Sequence, residues 1–197
     1  ASLLLSQGIT RLDGVILTHF DADHAGGVAY LLSRVPAEHL FLPTCPDEDD
    51  TSQSLYAYDG GTVVAVENDT VISFGYAKIT MIPSETAISN NESGLCILFQ
   101  TKKCDILITG DRGAKGEREL IEHMILPELE LLIVGHHGSK TSTCRELLIK
   151  TSPEIAIISV GEDNSYGHPA DEVLQRLRQY GCIIYRTDLN GTIIYRG

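Results

Sequence analysis

Residues His19, Asp21, Asp23 and His24 fall within the short segment Leu17-Thr-His-Phe-Asp-Ala-Asp-His-Ala-Gly-Gly27. All four side chains can bind a metal, and carboxylates packed this closely repel one another unless a cation offsets their charge. The pattern H-x-D-x-D-H-x-G-G therefore points to one or two divalent cations and to the hydrolytic chemistry such cations support. A solvated acidic turn with incidental histidines is the plainer reading, but it leaves the crowding of ligand types unexplained.

Three later segments carry residues of the same kind. Asp111 follows Gly110 at the end of the apolar run Ile106–Thr109. A carboxylate there can bridge two cations, or cap a helix beginning near Ala114. His136 and His137 end the next apolar run, in Val134-Gly-His-His-Gly-Ser-Lys-Thr-Ser142. Adjacent side chains of an extended segment point to opposite sides. That makes His136 the ligand and gives His137 a supporting or substrate-facing role, with the reverse assignment as the alternative. Ser139, Lys140 and Thr141 can donate to an anionic phosphate or cap the helix that follows. His168, in Tyr166-Gly-His-Pro169, reads as a last ligand, as the acid that protonates a leaving oxygen, or as a helix cap. His39 and His123 match no motif and read as ordinary strand and helix residues.

The elements that must hold these residues are short and repeatedly punctuated. Strand-like runs are Val15–Thr18, Leu40–Leu42, Thr62–Val66, Val71–Phe74, Lys78–Ile82, Leu95–Gln100, Asp105–Thr109, Leu131–Val134, Ile155–Val160, Ile183–Arg186 and Thr192–Tyr195. Helix-like runs are Ala25–Arg34, Ala114–His123, Ser142–Lys150 and Asp171–Tyr180, with Gly181 as a stop. Asp188-Leu-Asn-Gly191 reads as a hairpin turn between two β-branched runs. Many strands with a few interspersed helices predict an α/β fold, two sheets face to face with helices on their outer faces. No linker, repeat or low-complexity tract divides residues 1–197, so a single domain is expected.

Composition narrows the function classes. The 197 residues carry a formal net charge of −12, with the acidic excess placed before residue 140 and partly in Pro46-Asp-Glu-Asp-Asp50, which reads as a solvated loop. Such a balance disfavours tight nonspecific nucleic-acid binding, which depends on Lys and Arg neutralising phosphates. It leaves room for a metal-dependent nuclease, because bound cations reverse the local field. No apolar run approaches the ~18–20 residues that span a membrane, and Ala1-Ser-Leu-Leu-Leu5 does not read as a signal peptide. The five cysteines, Cys45, Cys96, Cys104, Cys144 and Cys182, form no C-x-x-C pair and read as reduced thiols, mostly small core residues.

The first motif is similar to that of the metallo-β-lactamase superfamily, H-x-H-x-D-H after a strand, with Asp21 replacing the second histidine. The variant form resembles the metallo-β-lactamase domain of ComEC family competence proteins, which take up DNA. Ile108-Thr-Gly-Asp111, the His136-His137 segment, Ile158-Ser-Val-Gly161 and Asn164-Ser-Tyr-Gly-His-Pro169 extend that likeness from about Gly8 to Gly197. The resemblance implies an αββα sandwich with a site for two divalent metals, Zn²⁺ or Mn²⁺, at one edge between the sheets. His19 and Asp21 would face the first metal, Asp23 and His24 the second, Asp111 would bridge them, and His136 would complete the second. Asp21 makes the first position richer in oxygen and harder, which favours Mn²⁺ or mixed occupancy over Zn²⁺ alone. Asn91 stands near the place of a further histidine in many members, which leaves the first metal short of a ligand and Asn91 free to meet substrate.

Only about 18 residues precede His19, whereas family members begin with additional strands, so a fragment lacking its N-terminal strands is expected. Its open sheet edge would then be completed by another chain, as in a homodimer. The expected function is metal-dependent hydrolysis, a phosphodiesterase or nuclease acting weakly on single-stranded DNA during uptake. Asp23, His137 and His168 would be the catalytic groups, and Ser139, Lys140 and Asn91 the substrate contacts. The implied setting is a soluble domain on the extracytoplasmic face of a membrane protein, beside its channel portion, or the cytoplasm if the domain stands alone. Hydrolysis of a small ester, lactone or thioester is the enzymatic alternative. A metal-poor module that guides DNA or assists assembly is the non-enzymatic one.

Overall fold

A computed structural model describes residues 1–44, 50–84 and 93–196. After the short helix α1 (Ser2–Ser6), strands β1 (Leu12–Ile16), β2 (Ala37–Pro43) and β3 (Thr62–Val66) form a parallel sheet in that order. Helices α2 (Ala22–Ala25), α3 (Val28–Arg34) and α4 (Asp50–Tyr56) complete this half. The second sheet has seven strands in the order β10-β9-β8-β7-β6-β5-β4. They are β4 (Thr70–Phe74), β5 (Ala77–Ile82), β6 (Cys96–Gln100), β7 (Asp105–Ile108), β8 (Leu131–Ile133), β9 (Ile155–Ile158) and β10 (Ile183–Arg186). The run from β4 to β7 pairs antiparallel and that from β7 to β10 parallel. Helices α5 (Ala114–His123), α6 (Arg145–Thr151) and α7 (Asp171–Gln179) supply the crossovers, and α8 (Thr187–Asn190) follows β10.

Three apolar clusters hold the layers together. Leu32, Leu40, Leu42 and Leu55 seal α3 and α4 onto the small sheet. Phe41, Val66, Met81 and Leu95 pack between the two sheets. Leu98, Leu107, Leu132, Leu120, Leu147 and Leu177 join the large sheet to α5, α6 and α7. The result is an αββα order. Helix α7 shows why the sequence folds this way: Val173, Leu174 and Leu177 make one buried stripe, with Asp171 and Glu172 in the first turn and Arg176 and Arg178 in the last. That charge order complements the helix dipole.

Several local expectations are corrected. The Ala25–Arg34 helix is two pieces, α2 and α3, broken at Gly26-Gly27. Neither glycine uses a left-handed conformation (φ −60° and −94°), so the pair acts as a helix break rather than as a tight turn. Asp188-Leu-Asn-Gly191 is no hairpin turn, because residues 187–190 coil into α8. Thr192–Tyr195 then forms no strand, and Ile194 is 71% exposed. β-Branched residues favour a strand only where a neighbouring strand accepts them, and β10 pairs with β9 alone. Lastly, the run at Ile155–Val160 leaves the sheet at Ile158 and the run at Val15–Thr18 at Ile16, and both exits feed the site.

Candidate metal centre

The C-terminal ends of β1, β7, β8 and β9 deliver the candidate residues to one edge between the sheets. The exit from β1 is tied to the large sheet by Leu95 N–H donating to Thr18 O (2.7 Å). This places His19 at the seam with 1% exposure. Gly110 (φ +57°) turns the chain after β7, and a side chain there would come within 3.2 Å of Thr18 Cβ. Asp111 follows, 5% exposed.

After β8 the chain does not stay extended. His136 and His137 sit in a 3-10 turn with φ/ψ of 49°/46° and 53°/23°. Left-handed backbone is costly for residues with a Cβ and persists only where the surroundings impose it. Here His136 N–H donates to Gly110 O (3.0 Å), and Ser139 N–H to His136 O (2.8 Å). Ser142 Oγ donates to Gly135 O (2.6 Å). Gly138 (φ +80°) completes the turn, with Ala170 N–H donating to its carbonyl (2.9 Å). The alternation argument for extended chain therefore does not apply. Both imidazoles face the same carboxylate, with His136 Nε2 at 3.7 Å and His137 Nε2 at 3.8 Å from Asp111 Oδ2.

Asp111 is the hub. His19 Nε2 lies 3.7 Å from its Oδ2 and His24 Nε2 lies 3.4 Å from its Oδ1. Across the cleft, His24 Nε2 and His137 Nε2 are 3.3 Å apart, and His137 Nε2 is 3.1 Å from Asp23 Oδ2. Two compact groups of ligand atoms result: His19, His24 and Asp111, and Asp23, His24 and His137, each within 4.8 Å. Asp21 approaches only the first, at 4.0 Å from His19 Nε2. The geometry thus groups His137, and not His136, with the Asp23-His24 pair.

The donor set fits divalent metal. His19 Nε2 is buried and has no hydrogen-bond partner among the described residues. An orphaned buried nitrogen of this kind costs about 1–3 kcal/mol unless something binds it. Thr18 Oγ1 lies 3.1 Å from His19 Nδ1 and 3.3 Å from His24 Nδ1, which fixes both rings with Nε2 turned to the cleft. His137 Nδ1 donates to Ser159 O (2.7 Å), so its Nε2 carries the free lone pair. Charge reinforces this arrangement. Burial and neighbouring His24 hold the His19 pKa below its ordinary value against the pull of the carboxylates. Burial opposes the charged form of His24, but the hydrogen bond to Asp111 together with the charges of Asp111, Asp23 and Asp21 outweighs that and raises its pKa. Burial likewise disfavours ionised Asp111, yet His24, His19 and His136 hold its pKa down.

His168 reaches the same cleft from the loop after β9, its ring centroid 5.9 Å from that of His136. Burial, then His136 and His137, lower its pKa. A cleft of about 400 Å³ over Asp111 is lined by Asp21, Asp23, His136, His137, Tyr166 and His168. A neighbouring lobe of about 370 Å³ runs past Ser159, Gly161 and Asn164. Neither lobe is lined by Ser139 or Lys140. Ser139 is buried with Oγ 3.0 Å from Thr141 Oγ1, and Lys140 is exposed. Asn91, Cys45 and most of the acidic loop Pro46–Asp50 lie outside the described residues.

Supporting residues that motif reasoning passed over stand behind the centre. Fully buried Glu117 accepts N–H bonds from Thr143 (2.7 Å) and Cys144 (2.6 Å), while Arg176 Nη1 donates to Ser142 O (3.0 Å) and Thr143 O (2.6 Å). Together they clamp the turn that follows His137. Arg112, 2% exposed, donates through Nη2 to Ile82 O (2.8 Å) and Gly94 O (2.7 Å), anchoring the chain beside Asp111. Thr18 had a visible signal, its place directly before His19. Glu117 and Arg176 had none, since each reads as a polar helix residue. Cys96, Cys104, Cys144 and Cys182 are buried, and burial with nearby Glu117 pushes the Cys144 thiol up to about 12. His39 stacks on Phe41, and His123 lies 2.8 Å from Asp69, both away from the cleft. Among the described residues no helix is long and apolar enough to cross a membrane.

An αββα sandwich with histidines and carboxylates at the seam of its sheets is the fold of the metallo-β-lactamase superfamily. Its sequence profile matches residues 2–40. Solved structures show the same fold: CmlA, a diiron β-hydroxylase from Streptomyces venezuelae, aligns with a TM-score of 0.64 at 15% identity over 90% of this chain and 44% of its own. YhfI from Bacillus subtilis, a metallo-β-lactamase fold protein, aligns at 0.60 with 13% identity over 89% of this chain and 74% of its own. Among curated proteins the chain is similar to ComE operon protein 3 of Bacillus subtilis, 34% identical over 98% of this chain and 26% of that protein. It is 33% identical to Recombination protein 2 of Haemophilus influenzae over 96% of this chain and 23% of the relative. Competence protein ComA of Neisseria gonorrhoeae is 29% identical over 96% of this chain and 26% of its own length. The chain thus spans about a quarter of the length of these relatives.

Proposed function

We propose that this chain is a metal-dependent phosphodiesterase that acts on single-stranded DNA in competence-related uptake. The observation that carries the reading is Asp111, a buried carboxylate within 3.4–3.8 Å of four imidazoles that also collect Asp21 and Asp23. His19, Asp21 and Asp111 would hold one divalent cation, and Asp23, His24 and His137 a second that Asp111 also reaches. Two such cations supply Lewis-acid charge and make water acidic enough to attack near neutral pH. Zn²⁺ and Mn²⁺ both suit this mixed nitrogen and oxygen set, with the carboxylates favouring Mn²⁺.

The chain's own residues supply the rest. Asp23 Oδ2, beside His137 Nε2 and open to solvent, orients the attacking water and accepts its proton. Ser159 O keeps the His137 ring in the one orientation that serves the cleft. His168, on the lining of the cleft over Asp111, delivers a proton to the leaving oxygen. DNA as substrate draws on the competence and recombination relatives, and the resemblance to ComEC proteins would set this domain beside a membrane-embedded channel part, outside the cytoplasm.

One observation favours a second reading. Among the described residues no Lys or Arg lines either lobe of the cleft, and the net charge is −12, which suits a small ester, lactone or thioester better than a polyanion. A substrate panel at matched Mn²⁺ separates the two. Cleavage of a labelled single-stranded oligonucleotide is expected to exceed turnover of a thioester, a lactone and a β-lactam. The opposite order replaces the phosphodiesterase by the small-ester hydrolase.

A further inference from the structure

We propose that Tyr166 is a stacking platform for a nucleobase beside the scissile bond, which makes this cleft select single-stranded nucleic acid. The inference rests on the phosphodiester reading of the same site. Tyr166 is 82% exposed, yet its ring lies along the cleft, nearly parallel to that of His168 with centroids 6.0 Å apart and planes 17° from parallel. It lines both the lobe over Asp111 and the neighbouring lobe past Ser159 and Asn164. Isolated exposed apolar side chains are ordinary on a surface. An exposed ring laid parallel to a cleft histidine, at the junction of two lobes, is a more specific arrangement.

Asn164 braces the frame that presents it. Its Nδ2 donates to Gly161 O (3.2 Å) and His168 O (2.7 Å), and its Oδ1 accepts from His168 N–H (2.9 Å). A ring held on a braced loop loses little freedom on binding. The two lobes, about 400 and 370 Å³, each lie in the range of small-ligand sites, roughly 300–1,000 Å³. With no Lys or Arg among the described residues along them, a ring face is a general handle on a nucleotide beside the metal-binding groups. Every base has a π-face, so stacking tolerates any sequence. Within a duplex those faces are already stacked, and presenting one requires a base to be unstacked.

Anisotropy with a fluorescent, phosphorothioate-linked strand of about ten nucleotides in Mn²⁺ tests this without turnover. Tyr166→Ala is expected to weaken binding about tenfold, within the range for loss of one stacked base. Tyr166→Phe should restore it to within about twofold, because the ring and not the hydroxyl does the stacking. The same strand annealed to its complement should bind more weakly and respond less to Tyr166→Ala. Absence of strand binding by the unaltered protein overturns the proposal, as does an alanine variant that binds equally well, a phenylalanine variant that fails to rescue, or an equal loss with duplex. Hydrolysis of an aryl phosphodiester is measured alongside. Tyr166-dependent strand binding without that hydrolysis keeps the platform and removes the phosphodiesterase. Hydrolysis with Tyr166-independent binding removes the platform alone.

Discussion

Replacing Asp111 by alanine is expected to empty both metal positions together and reduce phosphodiester hydrolysis to background. The carboxylate is 5% exposed and stands within 3.8 Å of His19, His24, His136 and His137. Its removal leaves the four imidazoles without the buried carboxylate they share, with Asp21 and Asp23 only at the margins, and any cation there loses the anion that compensates it most closely. Charge stabilisation by bound metal is worth several kcal/mol, so a loss of about 10³-fold or more in rate follows, at ~1.4 kcal/mol per tenfold. Metal content of the reconstituted variant by mass spectrometry, with circular dichroism to confirm folding, reads this directly. A folded Asp111→Ala protein that retains two tightly held ions would show that Asp111 bridges nothing.

The second large effect separates two neighbours. His137→Ala is expected to lose the cation of the Asp23-His24 group and about 10²–10³-fold in rate, again several kcal/mol. His136→Ala should lose much less. The difference lies in placement: His137 Nε2 sits 3.3 Å from His24 Nε2 and 3.1 Å from Asp23, and Ser159 O fixes its tautomer. His136 approaches Asp111 at 3.7 Å but joins neither compact group. Titration calorimetry with Mn²⁺ on both variants decides the matter, and the reverse ranking would return the ligand role to His136.

Much of this architecture can be read from residue types. The β-branched run Thr62–Val66 and the apolar run Ile183–Arg186 became strands with the expected bounds, and Ala114–His123 became a helix with the expected bounds. The two-sheet layering also follows from the alternation of short runs and helices. His19, Asp21, Asp23 and His24 announce themselves because unlike ligands so close in sequence have no other economical use. The His136-His137 turn was hidden, since both residues carry a Cβ and bonds from other parts of the chain hold them left-handed. The partners Gly110, Ser142 and Ala170 come from three different segments. Glu117 was hidden for a similar reason: it faces inward only because α6 brings the Thr143 and Cys144 amides to it. Thr192–Tyr195 shows the converse, a strand-like run whose neighbours leave it unpaired.

Metal stoichiometry bears most directly on the whole account. The purified chain, stripped with chelator, reloaded with excess Mn²⁺ or Zn²⁺, desalted and analysed by inductively coupled plasma mass spectrometry, is expected to keep about two ions per chain, one held by His19, Asp21 and Asp111 and the other by Asp23, His24 and His137. A folded chain that emerges from both metals empty would contradict the account.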